Sequence, residues 1–363
     1  MPENPPVAIG FLGDIMLARG VQRHFLQKPD DFEMQDIRAC LADCDHIHAN
    51  LESPVSDTGS PDPRQDPNVC FRADPGMVDV LSRLAVSSVS LANNHVLDYG
   101  HDALYRTLSI LDDAQIARFG AGANAAEANE PLVQQIGAYK VGFVGSNFIF
   151  SASTRKAGRK SPGAADFQLR KLTQSVKDLK ARVDIVVVSV HWGLEYSFYP
   201  LPYIQRAARS LVDAGAQLII GHGPHYVQPI ERYRDGCIVY SLGNFIFDEP
   251  FRFSNISFAL VVRLDDHRVH DIEIHPVEIC EEVPRLMHGW LANRTRRFVE
   301  AGARGFARKS DSFWQNLSNT YFSAMMHRAK TTRSLKYLTA NPMKFYQDVG
   351  SRNFLRKIGL GRK

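Results

Sequence analysis

Two histidines stand where an apolar run of the sequence ends. The run Leu218–Ile220 is followed by Gly-His-Gly-Pro-His, which places His222 and His225 directly after it. Glycines on both sides of the first histidine permit a tight turn and a close approach of the backbone. Because imidazole nitrogens are common ligands of divalent transition metals, the pattern indicates a strand that ends in a candidate metal site.

The same arrangement recurs at the ends of four other apolar runs. Each is followed by side chains that can bind metal: Asp14 after AIGFLG, Glu52 in HIHANLE, Asn93, Asn94 and His95 after VSSVSLA, and His191 after DIVVVSV. Carboxylate, amide and imidazole ligands without a thiolate suit Mn, Fe, Zn or Ni, and a carboxylate such as Glu52 can bridge two ions. In open α/β sheets the site lies outside the carboxyl ends of the strands, so these residues can converge.

Each of these residues also has a structural interpretation. An aspartate after a strand commonly caps the next helix, and Asp14 and Asp98 both fit that role. Glu52 precedes a turn-rich loop. Single histidines are more often hydrogen-bonded structural groups than ligands, and we assign seven to that class: His24, His46, His101, His267, His270, His275 and His288. Recurrence at five strand ends favours a metal site over capping alone.

The elements that must position these residues follow an α/β rhythm. Apolar β-type runs alternate with helical patterns through most of the first 254 residues. After Asn255, the runs NISFALVVRL and VHDIEIHPVEIC are separated by the turn-like DDHR, which predicts a strand pair. The β-rich stretches CIVYSLGNFIF and FALVVRL predict a second sheet rather than further helical crossovers.

Charge divides the chain into two regions. The 363 residues, 44% of them hydrophobic, suffice for one large domain with an appendage or for two domains. Residues 285–363 carry 17 Lys and Arg against three Asp and Glu, whereas residues 1–284 carry 26 against 36. The sequence therefore predicts an α/β domain over 1–284 and a basic, mainly helical extension over 285–363.

The compartment and partners follow from the same composition. The N-terminus lacks the features of a signal peptide, no run of about 18 apolar residues predicts a membrane span, and five scattered cysteines fit reduced thiols. We therefore expect a cytoplasmic protein. The basic extension is typical of a helix that binds the anionic inner face of a membrane, or that docks on the acidic first region. Nucleic acid is not expected, since no recognised motif accompanies the charge.

Six motifs occur in order along the chain: GDIMLARG, NLESPVSD, LANNHVLDYG, HWGLEYSFYP, IIGHGPHYVQPIE and YSLGNFIFD. Together they resemble the capsule-synthesis CapA family, also called the poly-γ-glutamate synthesis family, of the calcineurin-like metallophosphatase superfamily. The resemblance runs from about Val7 to Asp248, and through the strand pair to about Cys280. It implies a four-layer α/β/β/α sandwich, with two sheets packed face to face and a dinuclear metal centre at one edge.

The resemblance also implies a role for each strand-end residue. Asp14 and His225 would serve the first ion, Glu52 would bridge, and the second ion would take Asn94, His191 and His222. His95 would face the substrate as a cation or proton donor. Further candidates for contacts to the substrate or to the ligands are Arg19, Asp98, Glu195, Tyr196 and Asn244.

Two departures from the superfamily pattern leave two functional hypotheses. The first motif is usually Asp-x-His, but here Met16 follows Asp14 and Ile15; the last is usually Gly-His-x-His, but here two residues separate His222 from His225. The first hypothesis is a metal-dependent hydrolase of phosphoester or γ-glutamyl bonds, with a phosphoester or an acidic polymer as substrate. The second is a non-catalytic assembly or binding subunit of capsule biosynthesis, which the missing histidine favours.

Overall fold

The computed structural model describes residues 5–149, 155–251, 253–266 and 268–306. The strands are β1 (Val7–Ile15), β2 (His46–Leu51), β3 (Ser88–Ser90), β4 (Ala117–Phe119), β5 (Ala121–Gly122), β6 (Leu132–Ile136), β7 (Tyr139–Asn147), β8 (Gly163–Ala164), β9 (Ile185–His191), β10 (Leu218–His222), β11 (Ile230–Tyr233), β12 (Gly236–Val239), β13 (Asn244–Ile246), β14 (Ile256–Leu264), β15 (Val269–Cys280) and β16 (Val283–Leu286). The α-helices are α1 (Arg19–Gln27), α2 (Gln35–Cys40), α3 (Val78–Arg83), α4 (Gly100–Asp113), α5 (Ala125–Ala128), α6 (Leu169–Lys180), α7 (Pro202–Asp213) and α8 (Gly289–Phe306).

The strands form two large mixed sheets and one small one. The first has the order β16-β15-β14-β1-β2-β3-β4, with β13 paired to the end of β1, and the second has the order β11-β12-β10-β9-β7-β6; β5 and β8 pair separately. Strands β1 to β4 are mutually parallel, as are β7, β9, β10 and β12. Parallel strands end at the same edge of a sheet, so each sheet collects several carboxyl ends at one edge.

The two sheets pack face to face, with helices on both outer surfaces. Alternate residues of β1 divide between two cores: Ile9 and Phe11 pack with β9 and β10 of the other sheet, while Ala8 and Leu12 pack with helices α1 to α4. The outer face of the second sheet packs against α6 and α7. The predicted four-layer α/β/β/α sandwich is confirmed.

The final strands differ in one respect from the prediction. The strand pair β14–β15 is present, with Arg263 opposite Asp271. The two stretches assigned to a second sheet are instead divided: β12 joins the second sheet, whereas β13 and β14 join the first beside β1. The chain changes sheet at Gly243, whose φ of +80° favours glycine.

The last described elements continue the sandwich. The predicted boundary between residues 284 and 285 falls inside β16, which pairs with β15, and α8 packs on β11 and β15. Most of the predicted basic extension, residues 307–363, lies outside the described residues, so the division into two domains stays a prediction. Within the described ranges, no helix is long and apolar enough to cross a membrane.

His46 lies between the sheets, and its burial makes the stability of the fold depend on pH in a testable way. It is 4% exposed, stacks on Phe143 at a centroid distance of 5.1 Å, and a ring nitrogen lies 2.8 Å from Ser88 Oγ. Burial lowers its pKa from 6.5 to about 4. Below pH 6.5 the unfolded chain therefore binds a proton that the folded chain does not, and stability falls as the pH drops.

We expect His46→Phe to remove this titration while keeping a ring against Phe143. Between roughly pH 7 and pH 5, the free energy of unfolding of wild type should fall by about 2 kcal/mol more than that of the variant. Any stability deficit of the variant should therefore become smaller at the lower pH. Urea unfolding at the two pH values measures the difference. A difference in the free energy of unfolding between the two proteins that does not change with pH would contradict the expectation.

Candidate metal centre

The carboxyl ends of strands from both sheets meet at one edge, and the predicted ligands converge there. Asp14 lies near the end of β1, Glu52 follows β2, and His191 and His222 end β9 and β10. The six predicted ligands are at most 5% exposed: Asp14, Glu52, Asn94, His191, His222 and His225. Residues that are far apart in sequence therefore form one buried polar cluster.

The position of Asp14 is fixed by close contact between β1 and the chain before β13. The Asp14 N–H donates to the Gly243 carbonyl oxygen at 3.0 Å, and Asp14 lies in register with Asn244. A Cβ atom at Gly13 would lie 2.0 Å from the same Gly243 oxygen. Glycine is therefore required before Asp14, which explains the Gly-Asp pair in the sequence.

The Asp14 carboxylate is held by donors from both sheets. Its Oδ1 accepts a hydrogen bond from Asn50 Nδ2 at 2.9 Å and lies 3.0 Å from His222 Nδ1, while the Gly223 N–H donates to Oδ2 at 3.2 Å. Burial raises the pKa of Asp14, but the hydrogen bond and charge of His222 and the charges of the other histidines lower it more, so the net shift is downward. This downward shift of the pKa favours the ionised carboxylate. It does not cap α1, whose N-cap residue is Ala18.

Glu52 has the opposite electrostatic environment. Neither of its carboxylate oxygens, both buried, has a hydrogen-bond partner among the described residues. Its Oε1 lies 3.6 Å from His191 Nε2 and 3.9 Å from the Nε2 atoms of His95 and His225. Burial, and then the charge of Asp14, raise its pKa well above the usual value. A buried carboxylate without donors is costly, and a bound cation would offset that cost.

The donor set of the cluster fits a divalent ion. Asp14, Glu52 and His191 each offer a ligand atom, and these atoms lie within 4.8 Å of one another. Burial lowers the pKa of His191 to about 3, so its imidazole is neutral, as a metal ligand must be. His222 contacts Asp14 through Nδ1, whereas its buried Nε2 has no hydrogen-bond partner among the described residues. The division of ligands between two ions stays a prediction.

His225 and Asn244 form the wall of the cluster next to β13. His225 has a φ of +59°, and its Nδ1 lies 2.8 Å from Asn244 Oδ1. Tyr196 stacks on the imidazole at a centroid distance of 5.6 Å. Burial lowers the pKa of His225, but nearby carboxylates, Glu249 first among them, raise it more, so the net shift is upward.

His95 and Asp98 form a buried pair beside the cluster. His95 Nδ1 lies 2.7 Å from Asp98 Oδ2, which also accepts the Phe71 N–H at 2.8 Å. The Phe71 ring stacks on the imidazole at a centroid distance of 4.2 Å. Asp98 does not cap α4, whose N-cap residue is Tyr99. The pair therefore fixes the orientation of His95 rather than ending a helix.

A cavity of about 870 Å³ opens on the cluster. Arg19 and Glu195 belong to its wall, as do Asn94, His95, Tyr196 and His225. Arg19 forms an ion pair with Asp248, and its guanidinium lies 4.5 Å from the centroid of the Phe71 ring. The Tyr196 hydroxyl donates to Glu249 Oε1 at 3.1 Å, and burial raises the pKa of Glu249. Both charge signs therefore face the space in which a substrate would lie.

Two residues of the site were not predicted from the sequence, and a third, at the position of a usual metal ligand, has a structural role. Asn50 contacts Asp14 directly, and its place two residues before Glu52, near the end of β2, is the signal that could have identified it. Phe71, in contrast, lies in a loop without any such signal. Met16, at the position of the usual histidine, uses its Sδ to accept the Ala18 N–H at 3.1 Å in the turn after β1.

Comparisons with known proteins agree on one group of relatives. The family described as bacterial capsule synthesis protein PGA_cap matches residues 8–249. The capsule biosynthesis protein CapA of Bacillus anthracis is 30% identical over 335 residues, which cover 90% of this chain and 81% of that protein. The PGA biosynthesis protein CapA of Bacillus subtilis (strain 168) is 30% identical over 280 residues, covering 77% of this chain and 73% of that protein.

Solved structures align less closely. A phosphatase from Mycoplasma pneumoniae aligns with a TM-score of 0.48 and 12% identity, covering 76% of this chain and 94% of that chain. The segment of this chain that matches the PGA_cap family contains the whole polar cluster, from Asp14 to Asn244.

Proposed function

Since the chain belongs to the bacterial capsule synthesis protein family PGA_cap, we propose that it is a divalent-metal-dependent hydrolase acting in capsule or poly-γ-glutamate metabolism. The environment of Glu52 carries this proposal. Its donor-free carboxylate lies in a buried cluster with ionised Asp14 and neutral His191. Burial removes the water that would otherwise stabilise the carboxylates of Asp14 and Glu52, whose ligand atoms lie within 4.8 Å of each other. A bound cation is the simplest replacement for that water.

Six residues would hold the ions: Asp14, Glu52, Asn94, His191, His222 and His225. Their nitrogen and oxygen donors suit Mn, Fe, Zn or Ni. When bound, such ions supply Lewis acidity toward a phosphoryl or carbonyl oxygen and make water a stronger nucleophile. The protein's own contribution is to hold these ligands in fixed orientations. Asn50 does this for Asp14, and Asn244 does it for His225.

We assign proton transfer to His95. Asp98 binds its Nδ1, and this leaves Nε2 on the side of Glu52, 3.9 Å from Oε1. His95 also borders the cavity. With protons on both ring nitrogens, it would donate the Nε2 proton to the leaving oxygen or nitrogen of a substrate. The Asp98 carboxylate would stabilise the charged imidazolium before the transfer.

Two substrate classes remain in the proposal. The names of the curated relatives favour poly-γ-glutamate, an acidic polymer, whereas the resemblance to metallophosphatases favours a phosphoester. Arg19 and Arg23 line the cavity and would bind the anionic groups that both classes carry. Both reactions also develop negative charge on oxygen atoms bound to the attacked phosphorus or carbon, which bound cations would stabilise.

Assays of metal-stripped and Mn²⁺-reloaded protein test the proposal. The substrates are p-nitrophenyl phosphate, bis(p-nitrophenyl) phosphate, γ-glutamyl p-nitroanilide and poly-γ-glutamate. We expect metal-dependent turnover of one class, with the stripped protein as the control. If the reloaded protein binds metal yet hydrolyses none of the four, the second candidate is favoured: a non-catalytic assembly or binding subunit, consistent with Met16 in place of the usual histidine.

A further inference from the structure

Helix α8 exposes a stripe of apolar and basic side chains. Trp290 is 71% exposed and Leu291 is 36% exposed, both large apolar side chains on the surface. Arg294 and Arg297 are also exposed, and their spacing from Trp290 places all three on one side of the helix. The Arg294 guanidinium lies 5.2 Å from the centroid of the Trp290 ring. An indole and two guanidinium groups are therefore presented together.

The opposite side of α8 is anchored to the sandwich. Thr295 is 6% exposed and Val299 is fully buried. The Phe298 ring contacts those of Phe198 and Tyr199, at centroid distances of 6.1 and 5.7 Å, in the loop that follows β9. The stripe is thus a preformed surface on a packed helix. If the basic region docked on the acidic part of the chain, the buried side of α8 would be explained. The exposed stripe would still have no partner among the described residues.

We propose that the exposed stripe of α8 docks on the surface of an anionic phospholipid bilayer. The arginines would pair with lipid phosphates, and the indole would enter the interface between headgroups and acyl chains, where tryptophan is stable. An acidic polymer would satisfy the arginines but would offer the indole no apolar region. The overall charge agrees, because residues 285–363 carry 17 Lys and Arg against three Asp and Glu.

Tryptophan fluorescence tests the proposal in the full chain. The chain has three tryptophans: Trp192 is fully buried, Trp290 is in the stripe, and Trp314 lies outside the described residues. In a Trp314→Phe variant, vesicles of equal parts phosphatidylglycerol and phosphatidylcholine should shift the emission to the blue, and brominated lipids should quench it. Pure phosphatidylcholine should do neither. The further change Trp290→Phe should remove both effects.

Paired substitutions measure the contribution of charge. Arg294→Gln with Arg297→Gln should weaken binding to the anionic vesicles about 25-fold, since each cation near such a surface contributes roughly a factor of five. The matched control is Arg170→Gln with Lys177→Gln on the exposed side of α6, which should leave binding unchanged. Vesicle binding without a change in Trp290 emission would overturn the proposal. So would a blue shift caused by soluble poly-γ-glutamate but not by vesicles.

Discussion

Asp98→Asn will lower metal-dependent turnover by about 10²- to 10⁴-fold, the usual contribution of a general acid or base. Asp98 Oδ2 accepts both the Phe71 N–H and the His95 ring nitrogen. An asparagine at this position carries no negative charge, and its NH2 group can turn toward the ring and donate to Nδ1, which favours the other tautomer of His95. His95 would then lose its fixed tautomer and orientation, while the metal ligands would stay in place.

Controls separate this effect from misfolding or metal loss. The matched variant is Asp102→Asn, which changes an exposed acidic residue in the first turn of α4 and should keep full activity. Asp98→Asn should bind as much metal as wild type. Because His95 and Asp98 act as one unit, adding His95→Ala should lower turnover little further. Wild-type turnover in Asp98→Asn, or full additivity with His95→Ala, would contradict the assigned roles.

Glu52→Gln will leave the protein as stable as wild type, or more stable, without metal, and less stable than wild type with metal. In chelator-treated protein, the buried, donor-free carboxylate is unfavourable, and a neutral amide removes that cost, so the variant should melt at or above the wild-type temperature. With Mn²⁺ at about 100 times the dissociation constant, wild type should gain roughly 2.7 kcal/mol and the variant nothing. Thermal unfolding with and without metal measures both terms.

Glu231 provides the matched control for this experiment. It is also buried, at 8% exposed, but its oxygens are paired with Arg209 Nε at 2.9 Å and the Tyr240 hydroxyl at 2.6 Å. Glu231→Gln should destabilise the protein in both conditions and leave the response to Mn²⁺ intact, because it breaks a satisfied ion pair that is not part of the cluster. If Glu52→Gln behaved in the same way, the buried carboxylate would be structural.

Features that depend on strand direction could be predicted from the sequence. Polar residues after parallel strands of one sheet end at the same edge, and this rule groups Asp14 with Glu52 and His191 with His222. That the two pairs meet depends on how the two sheets pack. Features that depend on tertiary contacts were not predictable. The Phe71 N–H reaches Asp98 only because its loop packs against the segment between β3 and α4. The division of β12 and β13 between two sheets depends on one turn at Gly243.

Elemental analysis tests the central claim most directly. Wild type and Glu52→Gln would be reloaded with Mn²⁺, desalted, and measured for metal per chain, with Glu231→Gln as the control. The buried cluster predicts bound metal in wild type and in Glu231→Gln, close to the two ions that the family resemblance implies, and a loss of that metal in Glu52→Gln. Wild-type protein without bound metal, or the same metal content in all three proteins, would contradict the proposal of a metal centre.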